Sequence, residues 1–137
     1  PPMTPVMTTS SFLAFLTYFG SGLLVLLAAV VVVALVTPHR EFTLIRQGNT
    51  AAATAFAGTL VGIAIPLQAA IRHSVNLADA VLWGATAAAV QVVAYLVARA
   101  VVRGLSRQIT DNVQAAGIFA AGVSIAVGLL NAAAMTP

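Results

Sequence analysis

The sequence predicts an all-α integral membrane protein, with four transmembrane helices arranged as two tandem hairpins in parallel repeat. Three observations carry that prediction. The chain is 61% apolar and only 7% charged, with a mean hydropathy of +1.03, whereas soluble domains carry about a quarter charged residues. Its apolar residues fall into four runs long enough to cross a bilayer, separated by short connections that hold nearly every charge. Its second half also repeats the first at an offset of 63 residues. At 137 residues the chain has room for one domain, and only lipid can cover so much apolar surface.

Residues 1–11 hold three Pro and several Thr and Ser and are expected to form a short tail ahead of a membrane domain over 12–137. The first span, 12–36, has 25 residues, which at about 1.5 Å each extend about 37 Å and cross a core of about 30 Å with tilt. It is longer than the apolar region of a signal peptide and lacks a basic leader, so it is kept as a span. The second span covers 50–71, the third 77–98 and the fourth 113–135.

The basic residues are six Arg and no Lys, too sparse for a nucleic-acid surface. They encode orientation instead. Segment 37–49 holds Arg40 and Arg46, segment 99–112 holds Arg99, Arg103 and Arg107, and segment 72–76 holds Arg72 alone. Five arginines against one place the first two segments in the cytoplasm and both termini on the outer, periplasmic side.

The repeat aligns Asn49 with Asn112, Phe56 with Phe119, Leu67 with Leu130 and Gln68 with Asn131, along with several alanines. It divides the chain into hairpins of roughly 10–72 and 73–135. Each hairpin contains two spans, so both insert the same way round. The pseudo-two-fold axis should then follow the membrane normal, unlike the inverted repeats that support alternating access.

Candidate residues follow from this frame. Asn49 and Asn112 sit where spans two and four begin, and their side chains suit capping of the first-turn amides. The alternative is a pair of positive helix starts that attract an anion or a lipid phosphate. Gln68 and Asn131 lie 19 residues beyond them, or about 28 Å along a helix, at matched depth near the outer side. They suit either a polar constriction or interhelical hydrogen bonding. Pro66 withdraws a donor and frees the carbonyl of Gly62, which something must re-satisfy. Gln91, in span three, has no polar counterpart in the first hairpin and is expected to face other helices. Gly58 and Gly62 form a GxxxG face, and Gly117, Ala121, Ser124 and Gly128 give span four similar rows for close helix packing, within a subunit or between subunits.

Several chemistries are excluded or disfavoured. There is no Cys, hence no disulfide, thiolate metal site or cysteine nucleophile. Glu41, Asp79 and Asp111 all stand at or near membrane boundaries, which argues against coupling through a carboxylate buried at mid-membrane. His39 and His73 fall on opposite faces and cannot share a metal within a subunit. The run His39-Arg40-Glu41 reads as an interfacial charge cluster, and 41–46 as a segment lying in the headgroup layer. Trp83, Tyr18 and Phe19 form an aromatic belt.

These residues resemble a bacterial inner-membrane family, the proteins grouped as domain of unknown function 350. The resemblance rests on the run Glu41 to Ala53, on His73-Ser74, Asp79, Trp83-Gly84 and Gln91, and on Gly128-Leu129-Leu130-Asn131-Ala132-Ala133. It implies a small four-span protein of the inner membrane and brings no established activity with it. Together the expectations are a homo-oligomer forming a narrow pore or small-solute or ion pathway, with Gln68, Asn131 and Gln91 as its polar residues. The rival is a non-catalytic structural or accessory subunit of a larger membrane complex. No enzymatic activity, cofactor, metal or nucleic-acid partner is expected, and the lipid bilayer is an expected partner in either reading.

Overall fold

The computed structural model describes residues 8–37, 41–73 and 76–135. Among them are six helices and no strand: α1 (Thr9–Val36), α2 (Glu41–Arg46), α3 (Thr50–His73), α4 (Leu77–Val101), α5 (Leu105–Thr110) and α6 (Gln114–Ala134). The helices α1, α3, α4 and α6 are long and apolar enough to cross a membrane. Their bounds stand within three residues of the spans expected from the sequence.

The largest difference is at the start of α1, where Thr9, Ser10 and Ser11 leave the expected tail and form the first turn. A capping box holds them: Ser11 N–H donates to Thr8 Oγ1 at 3.1 Å, and Thr8 N–H donates to Ser11 Oγ at 2.8 Å. Two first-turn donors are thereby satisfied.

At the centre, α3 packs on α1, α4 and α6, and α4 packs on α1, α3 and α6. The helices α1 and α6 flank this pair without a comparable interface of their own. A two-fold along the membrane normal exchanges α1 with α4 and α3 with α6, so it would require an α1·α6 interface matching α3·α4. No counterpart of comparable size occurs among the described residues, whereas the α1·α3 interface is matched by α4·α6, so the helix contacts follow the two-fold in part. The residues that mark the α3·α4 interface, Pro66 and Gln91, correspond at the 63-residue offset to Leu129 and Ala28. The second arrangement therefore has neither the broken backbone nor the amide that would answer it.

The two short helices were not expected. They form because 105–109 and 44–45 place apolar side chains against the bundle end: Leu105 and Ile109 are fully buried beside Ala52, Ala55 and Ala116, and Leu44 and Ile45 pack on the same cluster. Phe42 meets Phe56 edge-on at 5.1 Å between ring centres. Each short helix ends in a left-handed residue, Gly48 (φ 84°) or Asn112 (φ 59°). Beyond each, the chain returns a hydrogen bond: Asn49 N–H to Leu44 C=O and Val113 N–H to Gln108 C=O, both 2.9 Å. These are Schellman closures, and they turn the chain into α3 and α6.

Candidate functional site

The helices α3 and α6 meet along small residues. A Cβ on Gly58 would strike the backbone of Ala121, one on Gly117 that of Ala51, and one on Gly128 that of Gly62. The rows read from the sequence thus pack against each other within one chain, which brings main-chain carbonyls to the contact itself.

Both asparagines converge on the start of α3. Asn49 Oδ1 accepts from Ala52 N–H at 2.8 Å, and its Nδ2 donates to the carbonyls of Ile109 and Thr110 at 2.9 and 3.1 Å. Asn112 does not cap the helix that follows it. Its Oδ1 accepts from Ala51 N–H at 3.0 Å and from Thr50 Oγ1 at 3.1 Å, across the interface, while Val113 precedes α6 with no side-chain cap. The left-handed backbone that ends α5 turns the Asn112 side chain towards α3. Both side-chain oxygens are therefore engaged by first-turn donors of one helix rather than heading two symmetric anion sites.

Above this level α4 lies in the groove between α3 and α6, and Gln91 is its deepest polar residue, 2% exposed. Its Nε2 donates to Gly62 C=O at 3.1 Å and to Ser124 C=O at 3.0 Å. Gly62 is the residue whose carbonyl Pro66 strips of its helical donor. The sequence noted the freed carbonyl and the buried amide separately, and the structure joins them. With both amide hydrogens committed, Gln91 cannot flip without setting its oxygen against two carbonyls. Its Oε1 is consequently fixed in orientation, buried, and without a hydrogen-bond partner.

Gln91 forms part of the wall of a chamber of about 20 Å³ inside the bundle. The other polar residues of that wall are Thr37, Glu41, Thr59, Tyr95 and Ser124. About 10–15 Å³ suffices for one water, so the chamber accommodates one water-sized species. Thr37 and Thr59 return their hydroxyls to Val33 and Ala55 of their own helices, at 2.8 and 3.2 Å. Their oxygens keep acceptor capacity towards the interior.

Glu41 is the main correction to the sequence reading. It is not an exposed member of a surface cluster: α2 turns it inward, its exposure is 6%, and it lines the chamber. The direction is set by α2 being helical, since Leu44 and Ile45 share the buried side with Glu41 while Phe42 and Thr43 face outward. Its neighbours His39 and Arg40, the latter named among the orienting arginines, lie outside the described residues. The signal that could have found Glu41 is the 41-44-45 spacing of one helical face.

The remaining expected residues are placed as follows. Gln68 is exposed and lines an apolar groove of about 260 Å³ with Tyr18, Phe19 and Leu23 of α1. Asn131 is partly buried on α6, and its Nδ2 has no hydrogen-bond partner. No hydrogen bond found among the described residues joins Gln68, Gln91 and Asn131 to one another. Arg46, Arg99, Arg103 and Arg107 are all exposed, and Arg107 stands 4.0 Å from Asp111 in a solvated pair. His73 closes α3, and its side chain lies outside the described residues. No group of three His, Cys, Asp or Glu that could hold a metal occurs among the described residues.

A family model described as Domain of Unknown Function (DUF350) matches residues 7–135, nearly the whole chain. The chain belongs to the DUF350 family. This DUF350 member is 38% identical over 126 residues to the UPF0719 inner membrane protein YjfL of Escherichia coli strain K12, an alignment covering 92% of this chain and 96% of that one. The protein of the same name from Escherichia coli O157:H7 matches to the same extent. No solved structure matches. With a relative so named and four apolar helices of spanning length, this DUF350 member is a multi-pass protein of the bacterial inner membrane.

Proposed function

We propose that this DUF350 protein provides a narrow pathway for a small ion or solute, and that the chamber between α3, α4 and α6 is its internal station. The observation that carries this is the fixed, buried and unpartnered Gln91 Oε1 on a water-sized chamber that also holds a buried carboxylate. Ionisable and unpaired polar groups are expensive inside a membrane domain, and their usual use is on substrate or proton routes. The chamber excludes wide permeants by its volume.

In this reading the α2/α5 end is cytoplasmic, as the exposed Arg46, Arg99, Arg103 and Arg107 favour, and both termini lie on the periplasmic side. The order long, short and long helix occurs twice, and Gly58 meets Ala121, its counterpart at the 63-residue offset. Both support descent from a duplicated hairpin. Several copies associate through the apolar flank of α1, exposed at Leu24 and Leu35, and no catalytic step or cofactor is assigned.

The test is flux from liposomes holding the purified protein, with protons, potassium, sodium and a small neutral solute measured in turn. Wild type conducts one of them, and Q91L and the isosteric T59V lower that flux while membrane abundance is kept. Unchanged flux in both variants refutes the station. Leucine substitution of both Gln68 and Asn131 asks separately whether the outer amides share the route.

The second reading, a structural or accessory subunit, is favoured by Gln91 Nε2 bridging two helices as packing glue. The Gly58 and Gly62 face is already occupied by α6, so it offers no surface for a partner. Co-purification of a stoichiometric foreign subunit, with no flux by the isolated protein, would select this reading.

A further inference from the structure

We propose that the groove between α1 and α3 binds one anionic glycerophospholipid, with the phosphate at Arg72 and an acyl chain along the groove. The site is separate from the chamber and does not depend on the pathway reading. The groove, of about 260 Å³, opens on the flank of the bundle at the end away from α2 and α5. Leu23 and Leu26 of α1 and Ala64 and Leu67 of α3 make its body apolar, and the polar members of its wall among the described residues are Tyr18 and Gln68. Residues early in α1 share this end with residues late in α3, as the approach of Gly22 to Ile71 shows. Tyr18 and Gln68 therefore stand towards the mouth, and Leu26 and Ala64 mark the inner end.

Arg72 continues the same face. It follows Gln68 by four residues, one turn nearer the helix end, and both are exposed. Helical side chains lean towards the N-terminus, so Arg72 is directed back over Gln68, and Gln68 over the groove. The resulting order is guanidinium, then amide and phenol, then hydrocarbon. A phospholipid presents the same order as phosphate, ester carbonyl and acyl chain. The walls are also set in advance: Phe19 ends a stack with Phe15 and Phe12, at 5.6 and 6.3 Å between successive ring centres. Opposite, Ile71 closes on α1 only because residue 22 is Gly, where a Cβ would lie 2.8 Å from Ile71 Cδ1.

Charge decides the occupant. Lipid tails are as apolar as Leu, so the body of the groove selects nothing by itself and the choice falls to its mouth. A guanidinium offers a planar fork that pairs a phosphate through two hydrogen bonds. A net negative headgroup is preferred, because a zwitterionic one brings its own cation beside the phosphate. A second copy of this chain matches the mouth less well: Glu41 is buried and Asp111 stands at the other end, which leaves Asp79 as the carboxylate near this one. Orientation does not account for Arg72 either. Arg46, Arg99, Arg103 and Arg107 gather at the α2/α5 end, and a cation at the opposite end works against that bias. A phosphate partner gives it a use.

The experiment uses the full chain carrying F19W and W83F, which moves its single tryptophan into the groove wall. The protein is placed in phosphatidylcholine vesicles, and phosphatidylglycerol with brominated chains is titrated in as quencher. Expected is saturable quenching that favours phosphatidylglycerol over brominated phosphatidylethanolamine. R72Q should weaken it about tenfold, the size of one charge-assisted hydrogen bond, and Q68L roughly threefold. R72K should fall between wild type and R72Q, and R103Q should match wild type, all with the same helicity by circular dichroism. As a readout independent of the introduced tryptophan, native mass spectrometry should find one phosphatidylglycerol retained per wild-type chain and lost in R72Q. Quenching that rises in proportion to the brominated fraction, equal for both headgroups and unmoved by R72Q, is ordinary bilayer contact and overturns the site. Relief of quenching by inorganic phosphate overturns the lipid assignment. Shielding of the introduced tryptophan from every lipid as the protein-to-lipid ratio rises gives the groove to a second copy and overturns it as well.

Discussion

The pairing of Pro66 with Gln91 yields a quantitative prediction, because one residue creates the demand that the other meets. Replacing Gln91 by Leu removes two hydrogen bonds, to Gly62 and Ser124. Hydrogen bonds between membrane helices average about 0.6 kcal/mol and reach about 1.7 kcal/mol, so the direct loss is about 1–3 kcal/mol. Ser124 C=O can still bond within its own helix, but Gly62 C=O cannot, since residue 66 is proline. A buried unsatisfied carbonyl adds about 1–3 kcal/mol. Loss of the unpartnered Oε1 offsets part of this total.

In a P66A background, the substituted residue supplies a backbone N–H to Gly62, and the Gln91 side chain is no longer the carbonyl's only donor. The cost of Q91L should then fall by about 1 kcal/mol, a coupling readable in a double-mutant cycle. Pro66 is itself fully buried, so P66A opens space. That effect is present in both halves of the cycle and cancels. The assay is reversible unfolding in mixed micelles, followed by helical circular dichroism over a denaturant series. Equal costs of Q91L in the wild-type and P66A backgrounds, within about 0.3 kcal/mol, would refute the assignment of Gln91 as the replacement donor.

Other outcomes follow from the same geometry. G128A pushes a methyl into the Gly62 backbone and should destabilise by about 1–3 kcal/mol, whereas G122A, with nothing within 4 Å, should be neutral or stabilising by up to about 1 kcal/mol; equal melting shifts would contradict the α3·α6 register. N112G keeps the left-handed turn but loses both bonds to α3, and should cost about 1 kcal/mol, while N112A adds backbone strain of about 1–2 kcal/mol more in the same assay. Because the chain has no native cysteine, S106C and S10C report topology cleanly. An impermeant maleimide on intact spheroplasts should label S10C and spare S106C, and the reverse pattern would invert the proposed orientation.

The spans were legible because hydropathy and length operate one residue at a time, and the small-residue rows were legible because helical spacing alone aligns them. The Asn pair was legible as a pair of caps, but not as two caps for the same helix. The left-handed turn at Asn112, which redirects its side chain, depends on how α5 docks. Glu41 was misplaced for a related reason. A carboxylate beside His and Arg in a short connection reads as surface, and only the burial of Leu44 and Ile45 against the bundle end makes that connection a helix with Glu41 on its inner face.

From sequence alone, this protein is determined to be a four-helix membrane protein with a freed carbonyl at Gly62, a buried amide on the third span and charges gathered in the connections. Composition and covalent structure suffice for these, since neither lipid transfer nor the missing N–H of Pro66 depends on neighbours. Tertiary structure alone decided that Gln91 answers Gly62, that Asn112 serves α3, and that Glu41 faces a chamber. Each of these joins residues that are distant along the chain, and hydrogen bonds act over about 3 Å. Which donors and acceptors meet is therefore set by helix crossing and by the docking of two short helices, which a linear pattern does not encode.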